Sequence, residues 1–330
     1  MTLTHANFND VASQTAQQLA ELFTDWTTPH FFLHCCGGFD LNGLFDAPPQ
    51  TLPLKTLAGF PETPDTDGNT PQLLYGNCHE LSILVQAGTW RLSDGHGLLP
   101  ELLPIAIARA ADISNAVFID CALSLNPDLK AGHWGMLTDF INGFAFSPLD
   151  GLHHLLDHPF PNLAETLNQF QNSEIINALG DIGEMPLLCT FLGRPGFHLF
   201  TPAEIKVAHA QGADFIGHDL PLLLTFAHAM GLRVSCLVLA GAQLAPGEHA
   251  RRLARQDFLE AAHFRSPQLT RALRHAIAEI EHRPQDETEP ASTVPPEISS
   301  SDAPDADELL AASIRRAATR TSPLSKFLKK

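Results

Sequence analysis

Between Thr201 and Gln243 the chain alternates twice between a helix-like and a strand-like apolar pattern, and this alternation restricts the fold more than any other stretch. Pro202 occupies a first-turn position, where its missing N–H leaves no intrahelical bond unmade. Ile205, Ala208 and His209 fall on one helical face before Gly212 stops the helix. Asp214 to Ile216 reads as a short buried strand, and Leu220 to Met230 as a second apolar helix ended by Gly231. Leu232 to Leu239 is almost continuous Val, Leu and Cys, the pattern of a strand covered on both faces. Alternation of this kind builds an α/β layer, in which ligands gather beyond the C-terminal ends of the strands. Gly217–His218–Asp219 and Ala240–Gly241–Ala242 are therefore expected on the floor of any pocket.

With 330 residues, 44% of them hydrophobic, the chain can bury a full core. A net charge of −17 argues against general nucleic-acid binding. No uninterrupted apolar run is long enough for a membrane span, and the N-terminus lacks the basic and apolar segments of a signal peptide. The six cysteines form no C-x-x-C pair, which points to buried free thiols in a reducing, cytoplasmic setting and to no metal or redox cofactor.

Taken in order, Phe8 to Trp26 carries a helical stripe with Asn9 or Asp10 as its cap, and His30 to Cys36 is a first strand. It runs into Gly37–Gly38, a turn of the kind that lets backbone N–H groups approach an anion, although no Lys-Ser or Lys-Thr follows. Pro48 to Pro71 is expected to be a surface excursion. Leu73–Tyr75 and Glu80–Gln86 are expected to form a hairpin around Gly76–Asn77. Then come a polar loop (Gln86 to Gly97), a helix (Leu98 to Asp112), and strands at Val117–Cys121 and Gly135–Thr138. Pro148 to Gly183, with His153, His154 and His158, reads as irregular and solvated rather than as a metal site. Met185 to Leu192 is a strand, and His249 to Ile280 is helical with a break at Ser266–Pro267. A domain over residues 1–282 is thus followed by a disordered Pro/Ser/acidic linker, 283–304, and by 305–330, a short helix with a basic tail suited to docking a protein partner.

Gly212–Ala213–Asp214 with Gly231–Leu232–Arg233–Val234, Leu125–Asn126–Pro127 with Asp139–Phe140–Ile141–Asn142, Thr201–Pro202–Ala203–Glu204, and the hairpin before Gln86 with Asp94–Gly95 occur in a telling order. In that order they resemble the trimeric class of purine nucleoside and methylthioadenosine phosphorylases, over roughly Phe8 to Ile280. The resemblance implies an α/β, three-layer fold with a central mixed, partly barrel-like sheet flanked by helices. It further implies a homotrimer, purine nucleoside substrates, phosphate as co-substrate without other cofactors, and phosphorolytic cleavage of the N-glycosidic bond.

Several of the family's site residues are replaced. Its phosphate loop falls near His34 to Phe39, keeping Gly37 and Gly38 but no serine. Its arginine and histidine land on Thr89 and Arg91, of which Arg91 can still serve an anion. Asp120 stands in its asparagine-glycine turn, where an ionised carboxylate repels phosphate. Its purine loop becomes Gly193 to Phe200, with Arg194, Phe197 and His198. Gly217, His218 and Asp219 replace the triplet under the ribose, Ala242 replaces the asparagine facing the purine, and His249 matches the histidine near the ribose 5′ end. The candidates are therefore Arg91 and Arg194 for an anion, His198 and His218 as proton donors, and Asp219 and Asp120 as carboxylates. The alternative is a catalytically inactive paralogue, a nucleoside-like ligand binder or assembly protein with a docking tail.

Overall fold

In the computed structural model the described residues are 2–65, 67–156, 160–196, 198–244 and 253–282. His158, Phe197, His249, the linker at 283–304 and the helix and tail at 305–330 lie outside them. The described residues form α1 (Phe8–Leu22), β1 (Phe31–Cys35), β2 (Gln50–Pro53), β3 (Gln72–Cys78), β4 (Leu81–Ala87), α2 (Leu99–Ala110), β5 (Asn115–Ser124) and β6 (Trp134–Asn142). These are followed by α3 (Gln169–Asp181), β7 (Leu187–Gly193), α4 (Pro202–Ala210), β8 (Phe215–Gly217), α5 (Leu220–Ala229), β9 (Arg233–Gln243) and α6 (Arg255–His282).

The strands join in the order β2-β3-β4-β1-β5-β8-β7-β6-β9, and β9 returns to pair with β5, closing a barrel of β5 to β9. β4, β1, β5 and β9 run parallel, so their C-terminal ends meet on one rim. β8 runs antiparallel to β5. Alternating strand side chains feed two cores: Phe32, Leu84 and Phe118 pack with α1, α2 and α5, and Leu33, Val85 and Ile119 pack with α3, α4 and α6. This is the three-layer arrangement expected.

The helix–strand order read in Thr201–Gln243 is observed, with Ile205 and Ala208 buried but His209 exposed. Thr201 caps α4 through a reciprocal box: its hydroxyl accepts the Glu204 N–H at 3.3 Å while the Glu204 carboxylate accepts the Thr201 N–H at 2.8 Å. The motifs that carry the family resemblance meet in space. Asn126 donates to the Asp214 carboxylate at 2.8 Å, and the other Asp214 oxygen accepts the Thr190 N–H at 2.9 Å.

Other expectations are corrected. α1 ends at Leu22 and starts after Asn7, whose side-chain amide oxygen accepts the Thr4 N–H instead of capping the helix. The hairpin turn lies at His79–Glu80, both with positive φ (49° and 65°), so Gly76 and Asn77 are strand residues. Gly76 is required there because a Cβ would come within 2.9 Å of the Phe45 ring. The Pro48–Pro71 excursion contains β2, paired to β3. The Pro148–Gly183 segment contains α3, whose inward face mixes buried Gln171, Asn172 and Glu174 with Ile175, Ala178 and Leu179 and so blurs its apolar periodicity. α6 runs unbroken through Pro267, where Ser266 Oγ donates to the Ala262 carbonyl at 2.9 Å. Ala240 to Ala242 extend β9, because β5 continues to Ser124 beside them through a register shift.

Candidate functional site

The rim where β1, β4, β5 and β9 end encloses two adjoining spaces. The larger is an open cleft of about 1610 Å³ between the glycine turn after β1, the end of β9, the Lys130–His133 loop and the first turns of α6. Gly37, Gly38, Gly88, Gly241, Ala242 and Gln243 form its backbone-rich wall. Gly38 has φ +98°, and a Cβ there would lie 3.0 Å from Ala262 and 3.1 Å from the backbone of Leu259, so α6 seats directly on the turn. Arg255 fixes the start of α6 with two bonds to Asp67, at 3.1 and 2.6 Å, and holds the Asp67 carboxyl below the usual range.

The smaller space is a chamber of about 20 Å³ behind the cleft, and Cys36 borders both. His34 reaches it from β1, Thr89 and Arg91 from the segment after β4, Glu101 from α2, Asp120 from β5 and Asp219 from the start of α5. The antiparallel course of β8 carries the chain back along β5, which brings Asp219 to the Asp120 end of that strand. Asp219 Oδ2 accepts the Leu92 N–H at 3.2 Å, and the same N–H faces the Glu101 carboxyl. Burial raises the Asp219 pKa to about 6, against the pull of Arg91, and pushes Glu101 well above the usual carboxylate range. Burial also lowers His34 to about 4, leaving a neutral ring. His34 Nε2 and Glu101 Oε2 are both buried without a hydrogen-bond partner.

The sequence candidates thus divide. Gly37, Gly38 and Ala242 line the cleft, whereas Arg91, Asp120 and Asp219 share the chamber. Gly217 lines neither and packs against Phe191, whose ring leaves no room for a Cβ there. His218 turns away from Asp219: its Nδ1 lies 3.2 Å from the Arg194 carbonyl, its ring packs on Phe200 at 5.3 Å, and burial lowers its pKa to about 4. His198 is exposed on the other side of Phe200, with ring centroids 6.2 Å apart. The two histidines, Arg194 and Phe200 form a cluster that does not line the chamber, so the candidate proton donors and the Asp219 carboxylate are not brought together there. Adjacent residues leaving a strand end point to opposite sides. The placement of Phe197 and His249 lies outside the described residues.

Two chamber residues escaped the sequence reading, His34 and Glu101. Glu101 was detectable: it is the one charged residue in the otherwise apolar run Leu98 to Ala108, and a helix apolar on all sides is a buried one. Among the described residues, no group of three His, Cys, Asp or Glu is placed to hold a metal, and no helix is long and apolar enough to cross a membrane. All six cysteines are free and buried, as expected.

Comparison with known proteins agrees with this fold. The sequence pattern of the Phosphorylase superfamily matches residues 83–278. Purine nucleoside phosphorylase of Mycobacterium bovis is 30% identical over 215 residues, covering 63% of this chain and 75% of the relative. Purine nucleoside phosphorylase 1 of Geobacillus stearothermophilus is 25% identical over 230 residues, 68% of this chain and 82% of the relative. The fold matches Schistosoma mansoni purine nucleoside phosphorylase in complex with inosine, with a TM-score of 0.73 at 19% identity, covering 84% of this chain and 98% of that one.

Proposed function

The chain belongs to the phosphorylase superfamily as a divergent member of its nucleoside phosphorylase family, and from this premise we propose that it binds a purine nucleoside in the open cleft and cleaves its N-glycosidic bond. The pentosyl group passes from the base to an acceptor held at the chamber. One observation carries the reading: the cleft opens where the parallel strands end, and the chamber lies directly behind it across Cys36. Its volume exceeds the usual few hundred to about 1,000 Å³ of a small-molecule pocket, which leaves room for a whole nucleoside. The glycine-rich wall offers backbone groups to ribose hydroxyls, whose fixed orientation favours an oxocarbenium-like transition state. A cytoplasmic homotrimer is the assembly that goes with this reading.

Release of free base from inosine, guanosine, adenosine and methylthioadenosine, assayed with and without phosphate, tests it. Turnover of at least one nucleoside is expected, and none across the panel overturns the reading. Ala242, which offers no side-chain donor to a departing purine, favours a second reading, a nucleoside-binding protein without turnover. Saturable binding of these nucleosides without base release selects that alternative.

A further inference from the structure

In relatives named phosphorylases the pentosyl acceptor is phosphate. The chamber is a poor fit to that anion in size and in charge. A space of about 20 Å³ accommodates about one water, whereas phosphate brings five heavy atoms. Three carboxyl groups, Glu101, Asp120 and Asp219, line the chamber with one guanidinium, Arg91; Arg255, whose charge also reaches Asp120, is held by Asp67 outside it. A dianion placed among them gains one cation and meets the Asp120 and Asp219 carboxylates. His34 adds no positive charge, since burial keeps its ring neutral.

The same walls fit a water molecule. His34 and Glu101 are 3% and 2% exposed, and each leaves a buried polar atom unpaired at the chamber. Unpaired buried atoms of this kind are costly and rare in native proteins, and an ordered water is their common partner. Asp219, beside them, keeps one carboxylate oxygen on the Leu92 N–H and so has the other available.

We propose that the chamber binds one water molecule between His34 and Glu101, and that this water, activated by Asp219, is the pentosyl acceptor, so that the protein is a nucleoside hydrolase. The inference rests on the reading that the cleft holds a purine nucleoside. The water oxygen forms a bond to C1′ of the pentose as the C1′–N9 bond breaks, and the bonding pair leaves with the purine. The water proton passes to the Asp219 carboxylate. The purine takes up a proton from solvent in the open cleft, and Asp219 returns its own to solvent. Nucleoside and water give free base and free pentose.

The closing experiment incubates the full chain with the nucleoside panel in buffers with and without inorganic phosphate, and resolves free pentose from pentose 1-phosphate. Free pentose at a rate indifferent to phosphate is the expected result, and Asp219→Asn lowers that rate by roughly 100-fold or more while nucleoside binding persists. Base release that requires phosphate and yields pentose 1-phosphate overturns the proposal. Absence of base release in both buffers sinks the reading of the cleft instead. The chamber is then decided by inorganic phosphate alone. A phosphate-dependent rise in melting temperature, lost in Arg91→Gln, overturns the water site. An unchanged melting temperature, with an ordered water on His34 Nε2 and Glu101 Oε2 in a crystal, supports it.

Discussion

The parallel strands carry a buried polar cluster at each end, and the two clusters are built on opposite terms. At the N-terminal end, Asn115 Oδ1 accepts from Gln171 Nε2 at 2.7 Å and Arg233 Nε at 2.8 Å, and Asn115 Nδ2 donates to the His30 carbonyl at 3.1 Å. Ser235 Oγ donates to Gln171 Oε1 at 3.1 Å, so both amides are satisfied. At the C-terminal end, His34 and Glu101 keep unpaired atoms, and two carboxyls face one N–H. Satisfied buried networks fix a core, whereas buried groups left short of partners and shifted in pKa collect at sites that act on a ligand. The contrast separates the end of the sheet that holds the fold from the end that uses it.

The largest effect expected is on the satisfied end. Asn115→Ala removes three hydrogen bonds from a largely buried network and should destabilise the protein by about 3 kcal/mol in denaturant unfolding, with turnover per folded molecule unchanged. A loss of turnover that exceeds the loss of folded protein would erase the distinction between the two ends.

Asp219→Asn should act in the reverse sense, gaining stability while losing the reaction. Asp219 titrates near 6 in the folded chain and near 3.9 unfolded. Between those values the folded state holds more protons, so stability falls as pH rises through that window and stays lowered above it. Two units correspond to about 3 kcal/mol. Asparagine still accepts the Leu92 N–H, though more weakly, which leaves a net gain of about 2 kcal/mol at pH 8. Melting curves of both forms should converge near pH 4. A gain that is the same at every pH would show that ionisation of Asp219 is not its source.

The two ends also differ in how far they were legible in the sequence. Apolar periodicity reports which face of an element is buried, so the Thr201–Gln243 layers and the α/β class could be read directly. Periodicity is silent where polar residues face inward, which concealed α3 behind Gln171, Asn172 and Glu174. It also treats Glu101 as a break in an apolar helix rather than as a buried acid. Proline and glycine rules failed where tertiary packing prevailed. Pro267 lies within an otherwise regular α6, and His79–Glu80 take the left-handed conformations that Gly76–Asn77 had been expected to supply. Two of the family motifs serve as scaffold: Asn126 and Asp214 bond to each other between β5 and β8. They locate the fold, and the chamber chemistry is set by residues outside them.

The smallest effect concerns the mouth of the cleft, where Asp67 and Arg255 join α6 to the loop beside Gly37. The pair is bidentate, but the Arg255 side chain is 37% exposed, so solvent screening limits it to about 0.5–1 kcal/mol. Asp67→Asn should therefore lower the melting temperature only slightly. Arg255 holds the Asp67 pKa below its usual range. The contribution is thus present above the unfolded carboxylate pKa and disappears as pH falls through the lower folded value. The more informative readout is nucleoside affinity. Freed from Asp67, the first turn of α6 can lift from Gly38, which touches Leu259 and Ala262 closely. Affinity for the nucleoside should weaken by more than the small stability loss accounts for, while the ratio of hydrolysis with and without phosphate stays the same. If that ratio moves with the α6 anchor, the cleft and the chamber are not separable, and the acceptor site is governed by the mouth of the cleft as well as by the residues around Asp219.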